Sequence, residues 1–113
     1  MRQVSRDSVA DLLATTARPC VSIYQPTHRH HPENQQDPIR FKNLIRDVKT
    51  QLQDSNNHEA IAAVLENLER LSHDDQFWNH RTDGLAVLAS PGDFQVFDLQ
   101  QSVDDLAIVA DSF

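Results

Sequence analysis

What this chain has little of narrows its reading first. Its 113 residues include one cysteine, Cys20, so no internal disulfide can form and the chain fits a reducing cytosol. Glycine occurs only at Gly84 and Gly92, too sparsely for a glycine-rich loop that wraps phosphates. Apolar runs such as LAVLA and LAIVA fall far short of the ~20 residues that span a bilayer. The opening MRQVSRDSVADLL has no apolar signal region, so the expectation is a cytoplasmic protein without a membrane partner. The zinc spacings CxxC and HExxH and the nucleophile turn GxSxG are all missing. Positive charge is scarce as well, with 10 Lys and Arg against 17 Asp and Glu, a net -7. Phosphate contacts need clustered cations, so nucleic acid is not the obvious partner of the whole chain.

What is present describes an ordinary globular domain, 39% hydrophobic and 24% charged, long enough for one core across residues 1–113. Ser5 or Ser8 can cap a helix with Val9, Leu12 and Leu13 on one face, ending near Ala17 because Pro19 pushes Arg18 out of helical conformation. CVSIY reads as a strand, and Pro26 and Pro32 bracket a polar loop that runs to Gln36. Asp37-Pro38 opens a helix, the aspartate accepting from orphan N–H groups and the proline suiting the first helical position. That helix carries Phe41, Leu44, Ile45, Val48 and Leu52 on one apolar stripe. Asn56 with Glu59 resembles a capping box for a helix lined by Ile61, Val64, Leu65 and Leu68. Ser72, Asp74 and Asp75 can start a short helix carrying Phe77 and Trp78, both read as core.

The period then switches to that of strands. GLAVLAS is apolar on both sides, PGD is a turn, FQVFDL pairs back in a hairpin, and LAIVA follows as a third strand. The predicted fold class is α+β: helix, strand, helices, then a three-strand meander, with helices on both faces because GLAVLAS has no polar side. Val87 should be almost fully buried, against Phe41, Leu44 or Ile45, or against Leu65 and Leu68. The chain stops at ADSF, directly after a core strand, and a longer protein is expected to continue beyond it.

The unusual stretch is QPTHRHHPENQQDPIRFKN. From His28 to Lys49, five Lys or Arg meet three acids, a local +2 that leaves -9 for the rest. His28, His30 and His31 can offer imidazoles to zinc or nickel, yet no further ligand motif accompanies them. A solvated loop is the simpler reading, so no metal and no cofactor are expected. His58, His73 and His80 fall near predicted helix ends, and the pairs Asp74-Asp75 and Asp104-Asp105 at element starts, where capping or exposure explains them. No serine or cysteine has a local base and oxyanion donor, so no enzymatic site is expected within these residues. The cations Arg29, Arg40, Lys42, Arg46 and Lys49 can contact phosphates, and histidines can stack on bases. On spacing alone, a charged helix face turned to water is the favoured reading of them.

PCVSIYQPTHR, QDPIRFKNLIRD, FWNHRTDGLAVLASPGDFQVFDL and LAIVADSF resemble, in order, the N-terminal domain of a bacterial family related to archaeo-eukaryotic class I peptide-chain release factors, the one numbered family three. The similarity covers nearly the whole chain, and QDPIRFKN and DGLAVLASPG are its more specific parts. It implies an α/β/α sandwich around a four-stranded, largely antiparallel sheet. In true release factors this domain reads the stop codon through an NIKS motif near the start of the corresponding helix. Here QDPIRFKN occupies that region and NIKS is absent. The peptide-releasing GGQ belongs to a following domain, so any peptidyl-tRNA hydrolysis would need residues beyond these. The resemblance implies a noncatalytic domain that faces the ribosome or ribosomal RNA in termination, rescue or hibernation, with downstream domains of the same protein as further partners. The nucleic-acid-binding residues it implies are Arg29, His30, His31, Arg40, Lys42, Arg46 and Lys49. The alternative is a protein-interaction or structural domain that has lost RNA contact, with a metal-dependent enzyme third.

Overall fold

Strand alternation sorts the first element, β1 (Cys20–Pro26), into two sides, and Val21, Ile23 and Gln25 share the buried one. In the computed structural model, which describes residues 19–53 and 58–110, β1 is an inner strand of a four-stranded sheet. Its neighbours are β2 (Gly84–Ser90) and β4 (Leu106–Ala110), and β3 (Asp93–Leu99) lies outside β2. All three pairings are antiparallel, with Ile23 opposite Val87 on one side and Ala107 on the other. Val21, Ile23, Leu85, Val87 and Ala89 form the sheet's contribution to the core.

The helices supply the facing layer. α1 (Asp37–Gln51) follows a 3₁₀ turn, Glu33–Gln36, and buries Phe41, Leu44, Ile45 and Val48, the stripe its periodicity predicts. α2 (His58–Ser72) adds Val64 and Leu68, with Ile61 and Leu65 partly buried against the same cluster. α3 (Asp75–Trp78) is one turn, capped as expected by the Asp74 side chain, which accepts from the Phe77 N–H at 3.1 Å. Trp78 inserts between Phe41, at 5.2 Å between ring centroids, and Phe77, edge-on at 4.9 Å. Its indole N–H donates to the Leu71 carbonyl at 2.9 Å, so Trp78 is core as read from the sequence, while Phe77 is only half-buried and packs against that core.

The fold class is therefore α+β, a sandwich of helices on a four-stranded antiparallel sheet, and Val87 is fully buried in the shared core. The expected first helix, ending near Ala17, lies outside the described residues, as does Asn56 of the expected capping box. On the second face of the sheet, Cys20, Ala86 and Phe97 are buried, whereas Leu106 and Ile108 at the β4 edge are 47% and 41% exposed.

The expected meander is corrected at its last strand. β3 returns on β2 through Pro91 and Gly92, which takes φ +92 in the turn. β4, however, pairs with β1, and residues 100–105 carry the chain past the Gly84 end of β2 to reach it. Pairing there covers the second edge of β1, whose backbone polar groups lie against the core and need partners. Strand composition marks an element but does not choose its neighbour.

That crossing explains Gly84. A Cβ at this position would collide with the Gln101 carbonyl oxygen and lie 3.1 Å from the Leu99 Cβ. Gly84→Ala is expected to destabilise the domain by about 1–3 kcal/mol, the cost of forcing extra volume against backbone. A urea melt with an unchanged midpoint would show that the crossing yields freely.

Candidate functional site

The loop after β1 is fastened before any of its cations is placed. Thr27 donates its N–H to the Asp83 carbonyl at 3.2 Å and its hydroxyl to the Thr82 carbonyl at 2.7 Å. One residue on, the His28 N–H donates to Asp37 Oδ2 at 2.8 Å, and His28 Nδ1 lies 2.7 Å from Asp37 Oδ1. Asp37 is 0% exposed, while the His28 side chain is 40% exposed. The Asp37 carbonyl also accepts from the buried Gln25 side chain at 3.0 Å. With a carboxylate as its acceptor, Nδ1 carries the ring proton and Nε2 is left as the second nitrogen.

This corrects the role read for Asp37. It is the first residue of α1 rather than its side-chain cap, and Gln36 in the cap position makes no side-chain cap bond. The preceding 3₁₀ turn supplies a partner instead, since the Asp37 N–H donates to the Asn34 carbonyl. The carboxylate is thereby freed to hold the loop. Sequence reasoning passed over His28 as one of three interchangeable histidines. No local signal separates it, because its partner Asp37 lies nine residues on, across the loop.

Beyond this clamp, Arg29 donates through Nε to Asp83 Oδ1 at 3.0 Å and through its terminal nitrogen to Gln100 Oε1 at 3.3 Å. His30 and His31 are exposed, and the His31–Pro32 peptide is cis. Thr27, His28, Arg29, His30, Glu33 and Asp83 line a shallow hollow of about 330 Å³. Among the described residues no three His, Cys, Asp or Glu come together in a way that could hold a metal ion.

The α1 cations divide onto two flanks. Arg40 turns toward β4, where it binds Asp105 Oδ2 at 2.6 Å beside a hollow of about 550 Å³ that includes Ile39, Asp47 and Leu106. Lys42, Arg46 and Lys49 lie on the other flank and line a second hollow, of about 330 Å³, with Glu69, Ser72 and His73 of α2 and its end. Lys49 meets Glu69 there at 2.5 Å. The seven predicted residues thus form three groups: Arg29, His30 and His31 on the loop, Arg40 toward β4, and the three remaining cations toward α2.

One cation escaped sequence reasoning altogether. Arg81 is buried, lies 3.5 Å over the Phe77 ring, donates to the Phe77 carbonyl at 2.6 Å and pairs with Asp98 at 2.8 Å. Burial pulls its guanidinium below the usual arginine range, and the nearby carboxylates, Asp98 foremost, oppose that pull. Its surroundings give it a packing role, joining α3 to β3.

Compared with known proteins, the chain matches no family model and no curated protein. No helix among the described residues is long and apolar enough to cross a membrane.

Proposed function

We propose that the chain is a noncatalytic, ribosome- or RNA-facing domain of a release-factor-like protein, acting in translation termination, rescue or hibernation. One observation carries the reading. In a chain of net charge -7, the exposed cations Lys42, Arg46 and Lys49 run along one flank of α1, and the clamped loop before α1 presents Arg29, His30 and His31. A fixed loop leading into a cationic helix can meet RNA phosphates without first paying to order itself.

The alternative, a protein-interaction domain, is favoured by the apolar exposure around β4, where Ile39 is 52% exposed beside Leu106. The two readings separate in one experiment. Replacing Arg40, Lys42, Arg46 and Lys49 together by alanine should weaken ribosome co-sedimentation and flatten its salt dependence. Stability should hold, because the two ion pairs lost, to Asp105 and Glu69, are half-exposed and contribute about 0–1 kcal/mol each. A folded variant that sediments like wild type at every salt concentration would move the interaction reading into first place.

A further inference from the structure

Seven Lys or Arg fall among the described residues, and five of them hold an acid: Arg29 with Asp83, Arg40 with Asp105, Lys49 with Glu69, Arg70 with Glu66 and Arg81 with Asp98. The two without an ion-pair partner among the described residues are Lys42 and Arg46. Both line the hollow between α1 and α2. The acid within that hollow, Glu69, is already met by Lys49. The Ser72 hydroxyl is likewise engaged, donating to the Glu69 carbonyl at 2.6 Å, and Ile45 closes the lining as a buried apolar residue. His73 completes the rim from the end of α2. An acidic protein has thus neutralised its other cations in view and left two unmatched at the mouth of one concavity.

We propose that this hollow is an oxyanion subsite that takes a phosphate group, held by Lys42 and the Arg46 guanidinium with His73 alongside. The hollow, at about 330 Å³, accommodates a phosphate with its bridging atoms. Guanidinium presents paired N–H donors to phosphate oxygens, and lysine adds a mobile point charge. The Lys49–Glu69 pair forms one wall, so an anion entering here does not have to break an existing ion pair of Lys42 or Arg46. The same chemistry can come from a nucleic-acid backbone or from a free phosphate ester. The proposal deepens the RNA-facing reading, and its bearing on RNA rests on that reading.

The test titrates the full 113-residue chain with inorganic pyrophosphate and, separately, with a short single-stranded RNA, following backbone amides by NMR. Pyrophosphate should shift the amides of Lys42, Arg46 and His73. Replacing Lys42 and Arg46 together by glutamine should abolish those shifts and weaken RNA binding on the order of tenfold at low salt. The salt slope should fall by about 1.4, at ~0.7 per single-strand phosphate contact. The paired control, Arg29 and Arg40 to glutamine, should leave the pyrophosphate shifts in place. Pyrophosphate binding at the hollow without RNA binding would uphold the subsite and overturn the RNA-facing reading. RNA binding unaffected by the Lys42/Arg46 double substitution would overturn the subsite and leave that reading standing. Neither probe binding would overturn both.

Discussion

Asp37→Ala is expected to lower the melting temperature by roughly 10–15 °C, from a stability loss of about 3 kcal/mol. The carboxylate is fully buried and accepts two hydrogen bonds from one residue, the backbone N–H and the ring nitrogen of His28. Removing it abandons both donors at the point where the loop leaves β1, and charge-assisted bonds in such a place are among the stronger single contacts in a domain. His28→Ala should cost less, because the backbone N–H still reaches Asp37. Limited trypsin digestion gives the second readout. Arg29 follows the clamp directly, so cleavage after Arg29 should accelerate in Asp37→Ala. Should that variant melt within two or three degrees of wild type with Arg29 still protected, Thr27 and Gln25 would be holding the loop without it.

Asp37 also shows where legibility ended. Asp-Pro marked the start of α1 because proline at the first turn is a local preference, independent of the rest of the fold. What the carboxylate binds depended on β1 bringing His28 back beside α1, a contact nine residues apart that no local pattern encodes. The core stripe of α1 was legible for the same reason that its start was: Phe41, Leu44, Ile45 and Val48 repeat at helical spacing, and each is buried. The β4 sequence LAIVA was legible as a strand and silent about its neighbour. The candidate site followed the same division. Spacing set Lys42, Arg46 and Lys49 on one flank, yet it could not say which cations were already matched, because Asp83, Asp105 and Glu69 come from other elements. The discrimination that singles out Lys42 and Arg46 is a tertiary property.

Gln51→Leu is expected to turn the β4 edge into a self-association surface. Among the described residues β4 ends the sheet, and an edge strand offers unpaired backbone groups to any passing strand. Gln51, the last residue of α1, occupies that position with its side-chain amide. Its Nε2 donates to the Ala107 carbonyl at 2.9 Å, and its Oε1 accepts from the Val109 N–H at 3.2 Å. One amide therefore bridges the residues on either side of Ile108, as the peptide groups of a parallel neighbouring strand would. Leu106 and Ile108 stand exposed beside this stop, so a strand that paired here would also cover apolar surface. Leucine keeps the bulk of glutamine and removes both hydrogen bonds, at a cost of about 1–2 kcal/mol. Sedimentation velocity should then show a species that grows with concentration, beyond anything in wild type. Gln51→Glu separates the two effects. Its carboxylate cannot donate to Ala107, so stability should fall similarly, but the added charge at the edge should keep the variant from associating. If Gln51→Leu sediments like wild type across the whole concentration range, the edge is guarded by the Arg40–Asp105 pair and the bulk of α1, and the Gln51 amide serves only to hold α1 against β4.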